Sequence, residues 1–133
     1  MSTDYSIWSL GFTHSFMPRD FFGGTIKNSD KGPAKVPMFL SAVMGGEVGE
    51  VAKPMVIDTG LKGTWSPSGN SYDDCESPGT VLAKVGIDPD EVETVILTHL
   101  HFDHIGNLDA FPNANFVVQR TEYDGWKRVL QWP

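Results

Sequence analysis

The sequence predicts a layered α/β fold, and three observations carry that expectation. Strand-like stretches come first in the chain, and helical and strand-like segments then alternate. Two short runs, Met55-Val56-Ile57 and Thr94–Thr98, have the apolar, β-branched character of buried strands. The first of them runs directly into Asp58-Thr59-Gly60, and an acid followed by glycine at a strand end is a common site position in layered α/β folds.

The elements follow in order. Tyr5–Gly11 has strand-like residues, after which Pro18, Gly23-Gly24, Gly32-Pro33 and Pro37 interrupt the chain. Met38–Met44 reads as a buried strand, and Gly45-Gly46 with Glu47 as a hairpin turn. Residues 62–79 are polar and contain Pro67, Gly69, Pro78 and Gly79, which predicts a long loop. Ser77-Pro78 opens a short helix with Val81, Leu82 and Val85 on one face, and Gly86 ends it. Asp88-Pro89-Asp90-Glu91 resembles a helix start with Asp88 as cap. Phe111-Pro112-Asn113 marks a turn, Asn115–Gln119 a strand, and Thr121 is placed to cap a last helix. Trp126, Val129 and Leu130 fall on one face of that helix, which Gly125 weakens. With no repeat, low-complexity tract or linker, residues 1–133 read as one domain or a piece of one.

Composition narrows the function classes. The chain has 133 residues, 40% hydrophobic and 20% charged, as ordinary globular proteins do. A formal charge of −7 and the absence of any Lys/Arg run argue against nucleic acid as a partner. No apolar run approaches the roughly 20 residues that span a bilayer, and Met1-Ser2-Thr3-Asp4 does not resemble a signal peptide. The expectation is a cytoplasmic protein without a membrane partner. The single cysteine, Cys75, lies among Asp73, Asp74 and Glu76, which would oppose thiolate formation, so a nucleophilic role is not expected.

Three of the four histidines fall in His99-x-His101-x-Asp103-His104. Neutral imidazole nitrogen and carboxylate oxygen are both good zinc ligands. In an extended segment His99 and His101 point the same way and can grip one ion. Asp103 starts from that side, and a bend after it would bring His104 to a second ion nearby. Two zinc ions about 3.5–4 Å apart can share a hydroxide and polarise a carbonyl. A solvated polar loop is the plainer alternative. His14, the remaining imidazole, reads as structural.

Thr98-His99-Leu100-His101-Phe102-Asp103-His104-Ile105-Gly106-Asn107 resembles the signature of the metallo-β-lactamase superfamily, and Val56-Ile57-Asp58-Thr59-Gly60 resembles its first motif. Phe116–Tyr123 is similar to the strand and helix start that follow the histidines in N-acyl-homoserine lactonases. Together the matches span roughly residues 37–130. The resemblance implies an αββα fold, a two-sheet sandwich with outer helices. It implies a hydrolase with two zinc ions (Zn2+), in which a metal-bound hydroxide attacks a small-molecule ester or lactone. His99 and His101 would bind the first ion, and Asp103 and His104 the second. Asp58 would stand behind them, accepting a hydrogen bond from a ligand imidazole, and Asp103 or Asp58 would move the proton.

The sequence also departs from the family pattern. A third histidine, a bridging aspartate and a last histidine are expected well downstream of the motif. No histidine follows His104, and Asp109 and Asp124 lie too close to the motif for the bridging position. Residues 1–133 are therefore expected to be the N-terminal part of one domain, about half of the fold, with the inner face of its sheet exposed. A C-terminal half, in the same or another chain, is expected to complete the site, and the piece alone to be weak or inactive. An iron-dependent redox relative on the same fold and a non-catalytic metal-binding half-domain are the alternatives. No substrate-binding residue is identified. Phe12, Phe16, Met17, Phe21 and Phe22 could line an acyl pocket or simply pack, and Trp65 could be a lid.

Overall fold

The computed structural model describes residues 4–17, 32–46, 53–63 and 71–131. They form one mixed six-stranded sheet and three helices, in the order β1 (Asp4–Met17), β2 (Ala34–Gly46), β3 (Met55–Ile57), β4 (Ser71–Asp73), α1 (Pro78–Ala83), β5 (Thr94–Leu97), α2 (Phe102–Ile105), β6 (Asn115–Val118) and α3 (Arg120–Leu130). Single 3-10 turns at Pro89–Glu91 and Leu108–Ala110 precede β5 and β6. The α/β expectation holds. The sheet order is β4-β1-β2-β3-β5-β6. Its β4, β1, β2 and β3 pair antiparallel, whereas β3, β5 and β6 run parallel. The parallel half positions the site, because β3 and β5 then end on the same side of the sheet.

One face of the sheet carries the core. Leu40 and Ala42 of β2, Val56 of β3, and Val95 and Leu97 of β5 are buried there under Val81 and Leu82 of α1 and Phe111. Each large apolar side chain buried in this way contributes about 1.5–3 kcal/mol. Ser77 starts α1 by accepting the Thr80 amide at 3.2 Å, and Gly86 follows with φ of 74°. On β1 the register slips between Gly11 and Thr13. That bulge lets Phe12 and Thr13, although consecutive, both turn inward. Phe12 belongs to the core, so it is packing and not an open acyl pocket. Phe21, Phe22 and Trp65 lie outside the described residues.

The opposite face is open among the described residues. Ile7, Phe39 and Val117 are 69%, 51% and 50% exposed, and Phe39 and Val117 are each followed by a residue packed on the core, Leu40 and Val118.

Several elements differ from expectation. Within the expected 62–79 loop, Ser71–Asp73 form β4, held by pairing with the C-terminal end of β1. Both long strands run beyond their apolar centres, and Gly45 and Gly46 are still strand, while Glu47 lies outside the described residues. Asp88 does cap, accepting the Asp90 amide at 3.0 Å, but the element it starts is a single 3-10 turn. Thr121 is not a cap. It lies inside α3, whose N-cap is Gln119 with no side-chain cap bond.

Candidate metal centre

Asp58 is the first residue after β3, and its amide continues the ladder to the Ile96 carbonyl at 2.9 Å. Its φ is 61°, a left-handed conformation that Asp tolerates better than most residues. The side chain reaches across to the end of β5. Oδ1 accepts the Thr98 amide and Oδ2 the Thr98 hydroxyl, both at 2.8 Å. Oδ2 also lies 2.8 Å from His104 Nδ1.

His104 is carried by α2, a single turn stitched to the loop after Asp58. Thr59 donates its amide to the His104 carbonyl at 2.7 Å, and its hydroxyl to the same carbonyl at 3.0 Å. Asn107 Nδ2 donates to the Thr59 and Leu61 carbonyls at 2.9 and 3.0 Å. The Gly106 amide donates to the Gly60 carbonyl at 2.9 Å, an approach so close that a Cβ on Gly106 would lie 2.5 Å from the Lys62 nitrogen. Below this joint, Gly60 with φ of 72° leaves room for the Phe12 ring.

The four sequence-identified donors are brought together. His99 Nε2 faces His101 Nδ1 at 3.0 Å, with the rings edge-on at a centroid distance of 4.5 Å. The His99 and His104 centroids are 3.9 Å apart. His104 Nε2 lies 3.5 Å from Asp103 Oδ2. The bend that turns the chain comes before Asp103 rather than after it, because α2 begins at Phe102 with His101 as its N-cap. His14 is elsewhere, on β1 opposite Asp73, with β2 and β3 between its strand and β5.

The site's electrostatics follow from these contacts. Burial lowers the His99 pKa, and the charges of His104 and His101 lower it further, favouring the neutral imidazole. Burial also opposes charge on His104, but the Asp58 hydrogen bond and the charges of Asp58 and Asp103 outweigh it and raise the pKa. Burial would raise Asp58, yet hydrogen bonds from His104 and Thr98 hold its carboxyl below the ordinary value. Cys75 is raised by burial, not by the neighbouring acids that sequence reasoning invoked.

The donor set suits a divalent ion that accepts nitrogen and oxygen ligands. Two nitrogens on a tetrahedral zinc with arms of about 2.0–2.1 Å stand roughly 3.3 Å apart, close to the His99–His101 separation. Among the described residues no three His, Cys, Asp or Glu side chains share one centre. The close polar contacts among the four are His99 Nε2 with His101 Nδ1 and Asp103 Oδ2 with His104 Nε2, and the His99 and His104 rings lie between them side by side.

Sequence reasoning missed Glu122. From α3 its Oε1 accepts the amide of Leu100, between the two histidines, at 2.9 Å and the indole of Trp126 at 2.8 Å. The only sequence signal was the i, i+4 spacing of Glu122 and Trp126 on one helix face.

Residues 48–131 match the family model of the metallo-beta-lactamase superfamily. The chain belongs to this superfamily. N-acyl homoserine lactonase AttM of Rhizobium radiobacter is 34% identical over 94 residues, which cover 67% of this chain and 36% of that protein. A probable metal-dependent hydrolase from Staphylococcus aureus has the same fold, with a TM-score of 0.68 at 24% identity over 96% of this chain and 52% of that one. AidC, a dizinc quorum-quenching lactonase, aligns with a TM-score of 0.56 at 21% identity over 94% of this chain and 44% of that one. The chain thus spans about a third of the AttM lactonase's length and about half of each of these two solved structures. No described helix is long and apolar enough to cross a membrane.

Proposed function

We propose that the complete protein is a zinc-dependent hydrolase that opens a lactone or cleaves a related ester. The observation that carries this is the opposition of His99 Nε2 and His101 Nδ1 at 3.0 Å, with the His104–Asp103 pair beside it. The lactone preference is supported by the relative named as an N-acyl homoserine lactonase. Zinc is supported by the nitrogen and oxygen donor set and by the dizinc lactonase of the same fold. Bound zinc would supply an activated water and a Lewis acid for the carbonyl.

The chain's own residues divide the remaining work. His99 and His101 present nitrogens to one ion, and His104 and Asp103 donate to the other. Asp58 is a positioning residue. Its oxygens are already engaged by Thr98 and His104, and it is only 6% exposed. Of the two carboxylates, that leaves Asp103, half-buried and with its Oδ2 3.5 Å from His104 Nε2, as the better proton carrier. Residues 1–133 are taken as the N-terminal part of one domain. A complementary half, in the same or another chain, would supply the missing donors and cover the open sheet face.

The test is hydrolysis of an acyl-homoserine lactone by the complete protein before chelation, after it, and after zinc is restored. Activity should vanish and return. Hydrolysis indifferent to chelator would remove the proposal, and a protein holding iron with little zinc would replace it with the redox alternative.

A further inference from the structure

We propose that Glu122 is a positioning residue that sets the spacing of the His99–His101 pair by fixing the backbone between them. The inference rests on the metal-site reading above and deepens it. β5 ends at Leu97, and its ladder to β6 ends with Leu97 opposite Val118. Leu100 therefore lies past the sheet, where a backbone amide needs another acceptor. Glu122 supplies it at 2.9 Å. A carboxylate accepting a backbone N–H makes a charge-assisted hydrogen bond, stronger than a neutral one.

The acceptor is itself held in place. Trp126, one helical turn further on, donates its indole N–H to the same oxygen at 2.8 Å. The Trp126 ring then stands edge-on to His101, with centroids 6.0 Å apart and planes at 90°. One helix thus grips the amide between the two histidines and walls the second of them. Because neighbouring side chains of an extended segment alternate, fixing Leu100 fixes the common direction of His99 and His101. The Leu100 amide and the Trp126 indole both hold the Glu122 carboxyl below its ordinary pKa, so it remains an ionised acceptor.

A plainer role exists for a glutamate in the first turn of α3, where its charge favours the helix N-terminus. The two roles separate in Glu122→Gln, which keeps an acceptor oxygen and loses the charge. Glu122→Ala loses both.

The test uses the complete protein, with metal-free thermal unfolding as the control for folding. Zinc affinity is read by competition with a chromophoric chelator, and Leu100 amide exchange by NMR without metal. Glu122→Ala should bind zinc about 10–100-fold more weakly, as loss of an outer partner of a metal site typically does. Its Leu100 amide should exchange faster, and Glu122→Gln, which keeps the acceptor without its charge, should fall between the parent and Glu122→Ala in both measurements. Trp126→Phe should move both in the direction of Glu122→Ala, by less, and it carries the test if Glu122→Ala does not fold. Unchanged zinc affinity in Glu122→Ala, or equal losses in the Ala and Gln variants, would overturn the proposal. If the parent binds no zinc, the metal-site reading falls, and Leu100 exchange alone then decides whether Glu122 fixes this loop.

Discussion

Asp58 and His104, 46 residues apart in sequence, meet with Oδ2 2.8 Å from Nδ1. This contact joins the end of β3 to α2. It also commits Nδ1 of His104, so that Nε2 is the nitrogen presented to Asp103 and to any ion between them.

Removing the carboxylate should therefore act twice. Asp58→Ala strips three hydrogen bonds from a buried joint and should lower stability by roughly 2–4 kcal/mol in urea unfolding. Asp58→Asn keeps a side chain that tolerates the left-handed backbone and should cost less. In both variants the nitrogen-15 shifts of His104 should lose their preference for a proton on Nδ1. A His104 ring unchanged in Asp58→Ala would mean that the carboxylate does not orient it.

Gly106→Ala tests the second joint. The new Cβ would meet the Lys62 nitrogen at 2.5 Å, the Gly60 oxygen at 2.7 Å and the Leu61 carbonyl carbon at 2.9 Å, all backbone atoms. None can swing aside as a side chain would, so the loop and α2 must separate. A loss of about 1–3 kcal/mol or more is expected in urea unfolding. Gly125→Ala is the control, since nothing lies within 4 Å of its added Cβ, and it should be neutral or stabilising.

Cys75 gives a pH-dependent prediction. Burial raises its pKa above the ordinary value, because desolvation disfavours the thiolate. The thiolate is the reactive form, so alkylation by iodoacetamide should be slower than for a free thiol near neutral pH and should still be rising beyond about pH 9. A rate that levels off near pH 7 would contradict this environment.

The parts of the fold that were legible in the sequence are those set by local pattern. Met55–Ile57 and Thr94–Leu97 are short apolar strands, and their composition alone marks them. Asp58 and the histidine motif were legible because an acid and four donors at strand ends have few structural uses. β4 was not legible, since Ser71-Tyr72-Asp73 is polar and forms only against the end of β1. The bulge at Phe12 depends on a register that no local pattern encodes. Glu122 was hidden for a related reason: it acts on a backbone amide 22 residues away, and backbone amides have no letter in the sequence. Thr121 misled because capping statistics favour it, whereas α3 is capped two residues earlier, at Gln119.

The most direct measurement is the zinc-binding isotherm of the metal-free complete protein beside that of its His99→Ala/His101→Ala/His104→Ala variant. If these imidazoles donate to divalent ions, the triple variant should bind zinc more than about a hundredfold more weakly, beyond what loss of an outer partner costs. Equal affinity in the two proteins would show that the ions, if bound at all, are held somewhere else.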